Sequence, residues 1–274
     1  MTKSKKWTTL SDRGVVLLNK KPAVAKALPT GRQVWRGEGV AYAKSYGLPK
    51  EKNMSKKTRV YSEKYKGPKP IKKQIQMIAE IFDLNPKFAL EYAKNLPKLP
   101  EGAEGWFAIL SLDVWPYFAP EYCKKLLRTL QEFEFFRPFC NIRASGMFVK
   151  LRFDTLCGLE GVHEKQKGDI WIVAAQLGAR YRGRSVHEFH HIYSSKNEYG
   201  LPSFAVGSIL LTHPERFSGN DDLSIDCAGD DFSPDGDGQY PASPAFDFCD
   251  GVVRFFVCNR YTRGKNSGSA SFFV

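Results

Sequence analysis

The run AFDFCDGVVRFFV at residues 245–257 restricts the architecture more than any other stretch of the chain. Phe246 and Phe248 share one face of AFDFC, and VRFFV follows across Asp250-Gly251. A two-residue turn of that composition accepts the positive φ values that a tight hairpin demands. A lone hairpin is marginal in water, so this one needs a sheet around it. LSIDC (223–227) alternates as well, and SASFFV (269–274) supplies a closing strand. From Leu223 onward the apolar period is therefore 2.

Upstream the period is closer to 3.6. Ile71, Ile75, Ile78 and Phe82 mark one stripe of a helix in IKKQIQMIAEIF. Asn85-Pro86 opens a second helix, with the Asn side chain accepting a backbone N–H, and Pro97 closes it. After the linker PKLPEGAEG, the segment GWFAILSL (105–112) is apolar enough for a buried strand, as is IWIVAA (170–175). Cys123, Leu127, Leu130 and Phe133 line up in a helical stripe over 120–134, and two more helices are predicted around 185–195 and 202–212. The pattern predicts an α+β fold, with helices in the first part and an antiparallel sheet with a β-hairpin in the C-terminal part, covered on one face. It forms one domain over residues 71–274.

Charge divides the chain unevenly. Residues 1–73 carry 20 Lys and Arg against four acids, whereas the remainder carries 21 basic residues against 25 acidic ones. A stretch so rich in Lys, Gly, Pro and Ser buries too little apolar surface to offset its chain entropy. Residues 1–70 are thus expected to be a basic, largely disordered leader, and Met54 reads as the biological start. Trp35, Tyr42, Tyr46, Tyr61 and Tyr65 interleave with the cations, a composition suited to neutralising phosphates while stacking on unpaired bases. Lys56, Lys57, Arg59, Lys64 and Lys66 are the candidate contacts there. Arg180, Arg182 and Arg184 in ARYRGR, placed before a predicted helix and around Gly183, extend the candidate polyanion surface into the domain.

HEFHH (187–191) satisfies the H-E-x-x-H pattern of zinc peptidases. On a helix, His187 and His191 project from one side, and Glu188 would polarise a zinc-bound water. Glu215 is the candidate third ligand, with Glu198 or His213 behind it, because Ser194 and Asn197 break the longer metzincin pattern. The opposing reading places Val186, Phe189 and Tyr193 inside. It leaves Arg184, Glu188, His191 and Ser195 on a solvated face, with Arg184 and Glu188 as an ordinary i, i+4 pair.

Seven aspartates lie between Asp221 and Asp237. Clustered carboxylates need a cation, water or backbone N–H groups to compensate them. Asp231, Ser233, Asp235 and Asp237, with Gly236, match the early positions of a calcium loop, although Ala242 stands where its bidentate Glu belongs. Candidate ions are therefore Ca²⁺ or Mg²⁺ here and Zn²⁺ at HEFHH. No Walker loop, dinucleotide fingerprint or G-x-S-x-G elbow occurs. Six cysteines without a C-x-x-C pair read as free thiols of a reducing compartment. FAVGSILL (204–211), the longest uncharged apolar run, is too short to span a bilayer. The expected setting is the cytoplasm.

GAEGWFAI (102–109), AQLGARYRGRSV (175–186), NEYGLPSFAVGSILLTHPERF (197–217), IDCAGDDFSPDGDG (225–238) and GSASFF (268–273) resemble an uncharacterised family of hypothetical proteins from uncultivated candidate-phylum bacteria. The resemblance covers about residues 100–274. Members of that family usually carry an arginine-rich run in place of HEFHH, which weighs against zinc. The resemblance implies a bacterial cytoplasmic protein and a compact unit without the leader, and it carries over no activity or functional residue. The leading expectation is a protein that binds nucleic acid or another polyanion through its basic leader; the alternative is a zinc-dependent hydrolase using HEFHH.

Overall fold

The computed structural model of the protein describes residues 60–112, 114, 148–193, 197–233 and 239–274. Helices α1 (Ile71–Phe82) and α2 (Lys87–Tyr92) come first, followed by β1 (Gly105–Leu110), β2 (Phe148–Leu151), α3 (Phe153–Lys165) and β3 (Ile170–Arg182). A single turn, α4 (Val186–Glu188), passes into a π-helical turn at Phe189–Tyr193. Then come β4 (Glu198–Gly200), α5 (Ser203–Thr212), β5 (Ser224–Asp226), β6 (Asp230–Ser233), β7 (Ala242–Cys249), β8 (Val252–Asn259) and β9 (Ser267–Phe273). The strands join one sheet in the order β1-β3-β9-β5-β7-β6-β2, with β4 added on β9 and β8 on β7.

The fold is α+β. Its sheet is mostly antiparallel, and β5 runs parallel to β9. It also draws on the first part of the chain, since β1 and β3 pair along six residues each. The predicted hairpin is β7–β8, closed at Cys249 and Val252 by Asp250 at φ 53° and Gly251 at φ 84°. Phe246 faces Phe255 across it with ring centroids 4.8 Å apart.

Local chemistry sets the helix boundaries. Ile75 and Ile78 of α1 are fully buried, and the helix stops at Asp83, which adopts the left-handed conformation at φ 52°. The Lys87 N–H donates to Asn85 Oδ1 at 3.0 Å, the cap expected for α2. All ten residues of α5 are buried. The stripe over 120–134 lies outside the described residues.

Two glutamines finish the ladders where strands leave groups open. Gln74 donates to Trp106 C=O and accepts from Ala108 N–H, both at 3.0 Å, along the outer edge of β1. Gln166 does the same at Ile172, at 2.7 and 2.8 Å. Buried backbone groups left unpaired would each be costly, so these amides close the sheet against α1 and α3. In the middle of β3 the register shifts between Leu177 and Arg182. There Gly178 has φ 99°, and a Cβ on Gly268 would stand 2.1 Å from the Gly178 carbonyl oxygen, so the two backbones touch where side chains cannot fit.

The packed unit starts earlier than the predicted Ile71. Tyr61 and Tyr65 turn inward: Tyr65 is buried, and the Tyr61 hydroxyl bonds Glu104 beneath the Arg216 guanidinium. Ser62 meets Ser218 at 2.6 Å. The expected base-stacking role of these two tyrosines is thus corrected, because burial of their rings outweighs exposure beside Lys64 and Lys66, which do face solvent. Lys56, Lys57, Arg59, Trp35, Tyr42 and Tyr46 lie outside the described residues. Among the described residues no helix is long and apolar enough to cross a membrane.

Candidate functional site

Strand β3 leaves the sheet at Arg182 and turns through Gly183 at φ 78°. The Gly183 N–H donates to the Ser267 carbonyl at 2.9 Å, and Arg182 Nε donates to the Lys265 carbonyl at 3.3 Å. These bonds clamp the turn against the β8–β9 loop, residues 260–266. Arg180, Arg182 and Arg184 from one segment therefore join Arg263 and Lys265 from the other in a single basic rim. The side chains of Arg180, Arg184 and Arg263 are 43, 47 and 60 % exposed. Glu198 lies 3.9 Å from Arg180, and Glu188 lies 3.9 Å from Arg184 and pairs closely with Arg263. Arg180 also feels the Glu101 charge, so carboxylates from three segments border the rim.

HEFHH forms the wall behind this rim. Ser185 Oγ accepts the Glu188 N–H at 3.1 Å, and Glu188 Oε2 accepts the Ser185 N–H at 3.0 Å, a complete capping box. Both carboxylate oxygens also receive the Arg263 guanidinium. Burial would raise the Glu188 pKa, but the Ser185 N–H and the Arg263 charge hold it below its ordinary value. The solvated face expected for Glu188 is corrected, since its residue is 9 % exposed. The reason is local pairing: the capping box folds Glu188 back onto the Ser185 N–H, and Arg263 covers its carboxylate. Phe189 is buried as expected.

The zinc ligands do not assemble. His187 and His191 come together, with ring centroids 4.3 Å apart, and Tyr261 stacks on His187 at 4.9 Å. Burial, together with the neighbouring His191 and the Arg260 charge, pushes the His187 pKa down to about 4. Glu215, the expected third ligand, instead binds Lys69 Nζ at 2.6 and 2.7 Å. Glu198 accepts from Ser271 at 2.6 Å, and His213 is buried and accepts the Lys69 N–H at 2.9 Å. Among the described residues no group of three or more His, Cys, Asp or Glu could hold a metal ion. Glu188 itself serves as a cap and a latch. Replacing it with Ala is expected to lower unfolding stability by about 1–2 kcal/mol, through the lost cap and the released Arg263. Glu188→Gln should cost less than half as much, because the amide oxygen still accepts from Ser185. Urea unfolding midpoints measure both; an equal cost for the two would shift the role from cap to charge pair.

Among the described residues the acidic stretch is partly strand. Asp230–Ser233 forms strand β6, so Asp231 and Ser233 pair with β2 at Lys150 and Phe148. Asp231 is held between Arg152 and Arg260, each 3.0 Å from Oδ1. Asp230 accepts the N–H and hydroxyl of Ser203 at 2.7 and 2.5 Å, capping α5. Asp222 accepts the N–H groups of Ser218 and Gly219 at 2.6 and 2.9 Å. Arginines and backbone donors thus compensate these carboxylates. Asp235 and Asp237 lie outside the described residues.

Beside the rim opens a pocket of about 330 Å³, between β5, β8 and the β8–β9 loop, with Val186 of α4 at its side. Asp226 forms part of its lining, and burial pushes its pKa up to about 7. Sequence reasoning missed Asp226, Arg263 and Lys265. The available signal was the charge inside the alternating run LSIDC: Ile225 enters the core, so Ser224 and Asp226 face the other way, into the pocket. Nothing local could place the loop cations, which arrive through the parallel pairing of β5 with β9. No protein-family model, no curated protein and no solved structure matches the chain.

Proposed function

We propose that the protein binds single-stranded nucleic acid in the bacterial cytoplasm, through the rim of Arg180, Arg182, Arg184, Arg263 and Lys265 and through the cations of its basic leader. The observation that carries this reading is the clamp between the β3–α4 turn and the β8–β9 loop, which merges cations from two distant segments into one strip. Arginines on such a strip can grip phosphates in forked geometry, and rim exposure keeps them within reach of an extended strand.

Binding of this kind is driven by counterion release and weakens with salt. An oligothymidine strand that contacts three to five cations should lose about 10- to 100-fold in affinity between 50 and 200 mM salt. Fluorescence anisotropy with the full chain measures the slope. The triple variant Arg182→Gln, Arg184→Gln, Lys265→Gln should bind about tenfold more weakly at low salt and show a shallower slope. An unchanged slope in that variant would move binding away from the rim, and binding indifferent to salt would end the proposal.

A further inference from the structure

The pocket beside the rim carries chemistry that phosphate binding does not use. Asp226 is 4 % exposed, and its hydrogen-bonding neighbours are neutral: the Ser267 side chain, and Cys258, whose Sγ lies 3.8 Å from Oδ1. A buried carboxyl with weak, uncharged partners at a cavity wall gains from a ligand that brings N–H donors to it. The Phe256 side chain and Val186 give the cavity apolar sides, and Asn259 and Asn266 add amide donors and acceptors. Thr262 and Lys265 stand on the loop that borders it, and Lys265 is also part of the basic rim. At about 330 Å³ the space falls in the small range of ligand pockets, suited to one planar heterocycle with its sugar.

We propose that this pocket takes the base of a single nucleotide, its donor edge on Asp226 and its ring along Phe256, while the phosphate rests on the rim cations Arg182, Arg263 and Lys265. The inference rests on the rim reading above and assigns the base that the rim alone cannot choose. A carboxylate pairs in forked fashion with two adjacent N–H donors, which guanine presents through its ring N–H and amino group. Uracil presents one N–H between two carbonyl oxygens, which a carboxylate repels. Guanine is therefore the preferred base.

Calorimetric titration of the full chain with guanosine monophosphate, uridine monophosphate and inorganic phosphate tests this. Guanosine monophosphate is expected to bind at least about tenfold more tightly than either of the others. Asp226→Asn should remove that preference, and Thr262→Trp, on the exposed loop and away from the core, should block the pocket without disturbing the fold. In both variants oligothymidine should keep its affinity within about twofold and its salt slope, because thymine uses the rim and not the donor pair. Guanosine monophosphate binding no better than phosphate, or surviving both substitutions, overturns the pocket. Selective guanosine binding without any salt-dependent oligothymidine binding would keep the pocket and overturn the rim.

Discussion

Replacing Arg216 with Met is expected to destabilise the protein by about 3–5 kcal/mol, among the largest effects any single side chain here can produce. Arg216 is fully buried, and its guanidinium donates to the carbonyls of Leu177 and Leu223 at 3.3 and 3.1 Å. It lies over the Tyr61 ring at 4.6 Å and beside Phe217 at 5.1 Å. Its charge also faces Glu104, which accepts the Tyr61 hydroxyl and the Leu177 N–H at 2.9 Å. Met fills much of the volume but strands two carbonyls and leaves Glu104 without its cation. For a domain of this size the melting midpoint should fall by about 6–20 °C.

That loss should grow with pH. Burial raises the Glu104 pKa above its ordinary value, and the Arg216 charge works in the opposite direction. A raised folded-state pKa means the folded protein holds that proton more tightly than the unfolded chain does. Its stabilising effect is complete below the ordinary carboxylate range and is lost as pH climbs through the raised value. Without Arg216 the raised value moves higher, so the variant declines more steeply from acid toward neutral pH. Glu104→Gln added to Arg216→Met should recover part of the loss and flatten the pH profile. A single-variant cost under about 1 kcal/mol would show that the guanidinium is dispensable.

What could be read from the chain follows the range over which each signal acts. The β7–β8 hairpin was legible because Asp250 and Gly251 carry their own conformational preference and the flanking strands are eight residues long. The same holds for α1, with three turns of periodic Ile, and for the Asn85 cap. Strands β2, β4 and β6 were not legible. With three or four residues each they have no room to alternate, and DDFS in β6 carries two carboxylates that resemble a loop until Arg152, Arg260 and Ser203 are brought to them. HEFHH brings His187 and His191 together as its spacing predicts, but where a third ligand would fall is not encoded locally, and Glu215 is taken by Lys69. Of the candidate site, only Arg180, Arg182 and Arg184 were visible in advance. Arg263 and Lys265 join them through a loop more than 75 residues away in sequence, held by the Gly183–Ser267 backbone bond and the Arg182 side-chain bond to the Lys265 carbonyl, which no local pattern encodes.

Asp231→Asn is the second large effect expected, about 2–3 kcal/mol, and it also decides how the acidic stretch is compensated. The Asp231 carboxylate is 14 % exposed and sits between Arg152 at 20 % and Arg260 at 9 %, within one shared contact of 3.0 Å to each. It joins three pieces of structure: β6 itself, the residue that precedes α3, and the residue that follows β8. The Arg260 carbonyl in turn accepts the His187 N–H at 2.9 Å, so the knot extends to the wall behind the basic rim. An amide can accept one of the two guanidiniums but cancels neither charge, and the two cations then share only Asp154, 3.2 Å from Arg152. Arg152→Gln combined with Asp231→Asn should restore part of the loss, because it removes the repulsion between the two cations. If arginines are the compensating charges, saturating calcium and excess chelator will leave the wild-type melting midpoint where it is. A calcium-dependent rise that vanishes in Asp231→Asn would instead place an ion at this carboxylate and displace the arginine account.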